Sequence, residues 1–344
     1  MINEQTNATF NKLLIHPNFK DTVSDIKKVG MAVPPISASV NIDLQHYAFP
    51  PNGELVTPVE DISVCDLDSK KGEKLSQEGR SIAAYDESIN KFMSLEGMTY
   101  FTSHSLILLA KNDFLPINLL TLYFYTRSKD ISNKCSYVKY SEDPDMDSKK
   151  DYIKDKINFL EQNTPSKALL FIDGPLIGGD VYTFMIHAIK RFLEKDIIPI
   201  FFVKNSSSNL VTENTGALKN KFNSDMHWAF KYLKAGQRTN FFKYADKNNI
   251  KNAKIFCYFK SFNVSPQRVE LHVDTYEKYM NLIPSIMDLI HYLLLVQGDR
   301  HNPQIRPIAI AEKFARDTLR MVDFNNMMHS AGIVPTMNQE RFAW

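Results

Sequence analysis

The stretch from residue 168 to residue 203 constrains the chain most. Ala168-Leu169-Leu170-Phe171-Ile172 is an unbroken apolar run that ends in Asp173-Gly174-Pro175; a helical pattern follows over Val181 to Glu194, then a second apolar run over Ile197 to Val203. Runs of that length bounded by turn residues read as buried strands. Strand, helix, strand is the mark of a crossover in an α/β sheet, so the expected core is a mixed sheet covered by helices.

The rest of the sequence fits a globular chain. Its 344 residues, 44% hydrophobic and 23% charged, suffice for one large core or two smaller ones and exclude a collagenous, coiled-coil or wholly disordered protein. Lysines and arginines number 41 against 39 acids, so nucleic-acid contact must come from local basic patches rather than a global field. Cys65, Cys135 and Cys257 are isolated, with no CxxC pair and no disulfide framework, which points to a reducing cytoplasm. Residues 1–20 lack an apolar core, and the oily stretch Leu106 to Tyr125 is broken by Lys111, Asn112, Asp113 and Pro116, so neither a signal peptide nor a membrane span is expected.

Along the chain, residues 1–80 read as an irregular N-terminal extension in which prolines separate short alternating runs such as Ser37 to Tyr47. Residues 81–324 form the main domain, and 325–344 a C-terminal tail ending in Arg341-Phe342-Ala343-Trp344, either mobile or a docking peptide. Within the main domain, Ser81 to Tyr85, Tyr100 to Ala110 and Ile117 to Tyr125 suggest either a group of adjacent buried strands or a strand followed by helices. Tyr137 to Lys150 is acidic, and Pro144 is expected to stop any helix there. Helical spacing resumes with Ile153, Ile157 and Leu160. Farther on, Met226 to Lys234 reads as a helix, Lys254 to Phe259 and Gln267 to Val273 as strands, Tyr276 to Val296 as a helix broken near Pro284, and Pro307 to Met321 as the last helix.

Carboxylates at the ends of buried strands are the natural place for chemistry, because a rigid element holds the charge while a metal or substrate keeps access. Asp86 follows Ile82-Ala83-Ala84-Tyr85, and Asp173 precedes a Gly-Pro turn. An Asp before Gly also simply initiates a turn. A hard, oxygen-ligated metal needs a third acid, and the helix before Asp173 offers Asp151, Asp155 and Glu161, unless these lie on a solvated face with Lys154 and Lys156. Arg268, Glu270, His272 and Asp274 alternate along a predicted strand and so share one face; ordinary polarity on an exposed edge strand is the other reading.

Taken in order, these segments resemble the NurA nuclease family, a variant of the RNase H-like fold. Ser81-Ile82-Ala83-Ala84-Tyr85-Asp86-Glu87-Ser88 and Gly97-Met98-Thr99-Tyr100 are similar to its opening strand; Phe171-Ile172-Asp173-Gly174-Pro175-Leu176 to its second Asp-Gly strand end; Phe202-Val203-Lys204-Asn205-Ser206 to its lysine-ended strand. Gly236-Gln237-Arg238-Thr239, Tyr258-Phe259-Lys260, Arg268-Val269-Glu270 and Pro307 to Ala315 resemble later segments, so the likeness spans about Ser81 to Met321. Glu87, Pro175 and Gln237 depart from the family pattern, and Glu312 stands where the last helix carries a histidine.

The resemblance implies an RNase H-like mixed sheet flanked by helices, NurA/PIWI-like, with a β-containing N-terminal extension. It implies catalytic Asp86, Asp155, Asp173, Tyr258 and Glu270, with Asp86, Asp155, Asp173 and Glu270 or Asp274 holding two Mn²⁺ or Mg²⁺ ions about 3.5–4 Å apart. Lys204, Arg238, Lys260 and Arg268 would bind DNA. The implied activity is a deoxyribonuclease, cutting single strands endonucleolytically and digesting 5′ to 3′, as a homodimer docked on a HerA-type hexameric ATPase in DNA end processing or anti-phage defence. The departures motivate an alternative, a catalytically weak scaffold or regulator of that ATPase; a PIWI-like module binding guide nucleic acid is a third reading.

Overall fold

In the computed structural model the three longest strands, β3 (Ser81–Met93), β4 (Met98–Ala110) and β5 (Asp113–Thr126), form an antiparallel meander. The structure describes residues 55–60, 64–110, 113–134, 138–177, 182–215, 218–245, 252–333 and 335–336; Ser37 to Tyr47 and the terminal Arg341-Phe342-Ala343-Trp344 peptide lie outside them. Strand β3 continues the sheet by parallel pairing with β7 (Ala168–Asp173), which pairs in parallel with β8 (Ile198–Val203). Beyond β8 the sheet turns antiparallel through β12 (Gln267–His272), β11 (Lys254–Lys260), β10 (Phe242–Ala245) and β1 (Leu55–Pro58). Strand β6 (Val138–Tyr140) pairs with β5, and β2 (Val64–Asp66) with β9 (Gln237–Thr239). The central order β5-β4-β3-β7-β8 is the RNase H-like arrangement that the resemblance implied.

Short helices α1 (Ser69–Ser76), α2 (Lys129–Lys134) and α5 (Leu210–Asn214) fall between strands. Longer helices cover both faces, and strand alternation decides which side chains meet which layer. On one face, Ala83, Tyr85, Leu170 and Ile172 pack against α3 (Pro144–Asn163) and α4 (Tyr182–Glu194) through Ile153, Ile157, Leu160, Met185 and Ile189. On the other, Ile82, Ala84, Leu169, Phe171 and Phe202 pack against α8 (Ile283–Gln297) and the start of α9 (Arg306–Arg320) through Ile286, Ile290, Leu293 and Ile308. Each of the buried leucine, isoleucine, phenylalanine and methionine side chains among these contributes roughly 1.5–3 kcal/mol. With both faces committed, the register of β3 is fixed; a one-residue slip would send Asp86 to the wrong side.

Three local expectations change. Pro144 starts α3 instead of stopping a helix: in the first turn its missing N–H has no intrahelical acceptor to lose, and Asp143 caps the turn by accepting from the Met146 N–H at 3.1 Å. Strand β12 lies between β8 and β11 and is buried throughout, so its charged residues belong to the interior and not to an edge. Residues 324–330 form a helix, α10 (Phe324–Ser330), whose Phe324 stacks on Phe101 of β4 and meets Phe92 of β3 edge-on. The long helix expected to break near Pro284 does so: α7 (Val273–Tyr279) and α8 meet at 100°, with Pro284 in the first turn of α8. Among the described residues no single helix is long and apolar enough to cross a membrane.

Candidate functional site

Asp86 and Asp173 meet. Tyr85 pairs with Ile172 across the parallel β3–β7 ladder, so the next residue on each strand is an aspartate. Alternation puts Asp86 on the face of Ile82 and Ala84, and Asp173 on that of Leu169 and Phe171, the side covered by α9. From that helix Glu312 completes the group: one carboxylate oxygen from each of Asp86, Asp173 and Glu312 lies within 4.8 Å of the others. Gly174 takes a φ of 98°, a conformation open to glycine, and turns the chain away directly after the carboxylate.

Lys204, just beyond β8, reaches into this group. Its Nζ is 2.7 Å from Asp173 Oδ2 and 3.3 Å from Glu312 Oε2. Glu312 is held from two further directions, by Arg316 Nη2 at 2.7 Å on Oε1 and by Gln304 Nε2 at 3.3 Å on Oε2. Asp86 Oδ1 accepts the Glu87 N–H at 2.8 Å. No described residue donates to the second oxygen of Asp86 or of Asp173.

The electrostatics follow from burial and crowding. Desolvation first, then the charges of Asp173 and Glu87, push the Asp86 carboxyl up to about 7. Burial works against the Lys204 ammonium, but its hydrogen bond to Asp173 and the charges of Asp173, Glu312 and Asp86 outweigh that and hold its pKa above the ordinary value. Glu312 is shifted down: burial opposes its charge, and Lys204, Gln304 and Arg316 prevail. The donor set is three hard carboxylates, which suits Mg²⁺ or Mn²⁺ and not a thiophilic metal.

The other expected site residues lie elsewhere. Asp155 belongs to α3, on the opposite face of the sheet from Asp86, where it accepts from Tyr123 at 2.7 Å. Its neighbours Asp151 and Glu161 bind Lys139 and Arg191, both at 2.6 Å. Glu270 is fully buried, and Val269 and Leu271 occupy the Asp86 side, so it too faces away. It pairs with Lys254 at 2.7 Å and Arg268 at 2.8 Å and accepts the Leu176 N–H at 2.9 Å; burial resists its charge, but the two cations hold its pKa below the usual range. Asp274 leaves the strand altogether: β12 ends at His272, which caps α7, and Asp274 points largely into solvent.

Tyr258 donates to the buried Asp225 at 2.7 Å. Among the cations, Arg238 is buried against Glu60 at 2.8 Å, and Lys260 donates to the Phe230 and Leu233 carbonyls at the end of α6 (Asp225–Tyr232). Arg268 holds Ser206 at 3.1 Å and Ser208 at 2.6 Å, bracing the loop after Lys204. Of the four expected cations, Lys204 alone contacts the carboxylate group. Glu312, noted in the sequence only as a departure, is the residue that joins it; the signal was the apolar stripe Ile308, Ala311, Ala315 and Leu319, which puts Glu312 beside the buried face of its helix.

The family model for the NurA domain matches residues 122–317, which include Asp173, Lys204 and Glu312 and begin after Asp86. No curated protein matches the chain. Among solved structures, the NurA nuclease from Sulfolobus solfataricus is similar over 92% of this chain and 98% of its own, with a TM-score of 0.50 at 10% identity. A NurA with manganese gives 0.44 at 10% identity over 88% and 97% of the two chains. Endonuclease V from Ciona intestinalis, in complex with an inosine-containing DNA, gives 0.37 at 13% identity over 74% and 96%, too distant to carry an argument.

Proposed function

This chain belongs to the NurA family and is a metal-dependent nuclease, and we propose that it hydrolyses DNA phosphodiesters at the group formed by Asp86, Asp173 and Glu312. The carrying observation is the convergence of three carboxylates from β3, β7 and α9, with Asp86 pushed up to about 7 by burial and by its charged neighbours. Groups forced together at such a cost to the metal-free fold are suited to a cation that repays it.

A divalent ion bound there would polarise the phosphodiester and lower the pKa of a bound water. The protein's own residues do the rest. Asp86 and Asp173 each present one oxygen that accepts from no donor among the described residues and would be the principal ligands; Glu312, held by Arg316 and Gln304, contributes from the third side. Lys204 brings a positive charge to the same space, placed to hold a phosphate oxygen. Asp155, Glu270 and Tyr258 act structurally in this reading.

The finer activity proposed is single-strand endonuclease and 5′-to-3′ exonuclease action. It would take place in a homodimer driven by a HerA-type hexameric ATPase, in end processing or anti-phage defence. The 344 residues contain no GxxxxGK[ST] phosphate loop, and in this proposal the ATP-driven movement is assigned to the HerA-type partner. One observation favours the scaffold alternative: Lys204 already neutralises part of the acidic group. Cleavage of labelled single-stranded DNA in Mn²⁺, with and without chelator and with Asp173→Ala, separates the two. Metal-dependent product lost in Asp173→Ala supports the nuclease; equal product from both proteins removes the site, and no product from either favours the scaffold.

A further inference from the structure

We propose that Lys204 takes the place of a second metal ion, so that each chain binds one divalent cation where the family resemblance implies two. This rests on the reading of Asp86, Asp173 and Glu312 as a metal site. A two-ion centre needs enough carboxylate oxygens to bridge and flank both ions. Among the described residues the acids that could have completed such a set are committed elsewhere: Asp155 on the far face with Tyr123, Glu270 between Lys254 and Arg268, Asp274 out on α7.

What stands beside the three carboxylates instead is an ammonium group, 2.7 Å from Asp173 and 3.3 Å from Glu312. It is an internal cation, delivered by the end of a fully buried strand and steadied by the loop that Arg268 braces through Ser206 and Ser208. The charge balance points the same way. Three carboxylates against Lys204 and Arg316 leave one net negative charge when all are ionised, which a single divalent ion turns to one net positive. A second divalent ion would have to enter beside both the first ion and the ammonium, and the next acid that acts on Asp86 among the described residues, Glu87, is paired with Lys156 at 3.3 Å.

The oxygens left over agree with a single ion. Asp173 gives one oxygen to Lys204, and Asp86 one to the Glu87 N–H, so among the described residues the pair has one uncommitted oxygen each. Lys204 would then serve the phosphate oxygen that a second metal ion would otherwise hold, as a point charge with three rotatable donors.

Mn²⁺ binding at pH 8, followed by electron paramagnetic resonance titration, tests this without any turnover. The expected result is one ion per chain for wild type, one for Lys204→Arg, which keeps the charge, and two for Lys204→Met, with melting curves establishing that each variant is folded. Two ions in wild type, or one in Lys204→Met at unchanged affinity, would overturn the proposal while leaving the site intact. Undiminished binding by Asp173→Asn, or none by wild type, would remove the site itself and the proposal with it.

Discussion

Replacing Asp86 with asparagine should make the metal-free protein more stable while abolishing metal binding. The carboxyl is raised from 3.8 to about 7 by burial and by the charges of Asp173 and Glu87. The folded chain therefore holds this proton more tightly than the unfolded chain. Stability linked to it is fully present below about pH 4 and is lost as pH rises towards 7. Three pK units at 1.36 kcal/mol each put the loss at up to about 4 kcal/mol. An asparagine side chain carries no charge and its oxygen can still accept the Glu87 N–H, so Asp86→Asn should recover most of that energy at pH 8 and almost none at pH 4. At about 2 °C per kcal/mol for a domain of this size, the gain in Tm is up to roughly 8 °C. Thermal melts in chelator at the two pH values measure it, and added Mn²⁺ should raise the Tm of wild type only. An Asp86→Asn protein no more stable than wild type at pH 8, or equally stabilised at pH 4, would refute the claim that the fold holds these carboxylates together under strain.

Further outcomes follow from the same geometry. Apparent Mn²⁺ affinity should climb about tenfold per pH unit between pH 5 and 7 and level off above about pH 7, as Asp86 loses its proton; a flat profile by calorimetry would contradict the assignment of Asp86 as a ligand. Asp155→Asn should leave Mn²⁺ affinity within about twofold of wild type, because that carboxylate faces Tyr123 across the sheet, whereas loss of binding would place it in the site. Glu270→Gln removes the buried carboxylate charge that Lys254 and Arg268 share and should cost roughly 3–5 kcal/mol by denaturant unfolding. A change under about 1 kcal/mol would mean the charge is not needed to hold β11 and β12 together.

Much of the fold was legible because buried parallel strands leave unbroken apolar runs: Ala168 to Ile172 and Ile198 to Val203 are apolar on both sides because helices cover both faces. The same property hid the third ligand. When every residue of a strand is apolar, alternation cannot say which parity meets which helix, so nothing in the run before Asp86 told whether α3 or α9 would lie over it. Asp155 and Glu312 sit on helices of opposite layers, and only the assembled sheet separates them. The charged alternation in β12 misled for a related reason. Arg268, Glu270 and His272 look like an edge strand until Lys254, a partner from the neighbouring strand, is brought beside them.

The central claim is most directly tested by anomalous scattering from a crystal of the protein grown with Mn²⁺. The account predicts a single manganese peak per chain at the Asp86, Asp173 and Glu312 carboxylates, on the α9 side of the sheet. A peak at Asp155 or Glu270 instead, or ordered protein with no peak between the two aspartates, would contradict it.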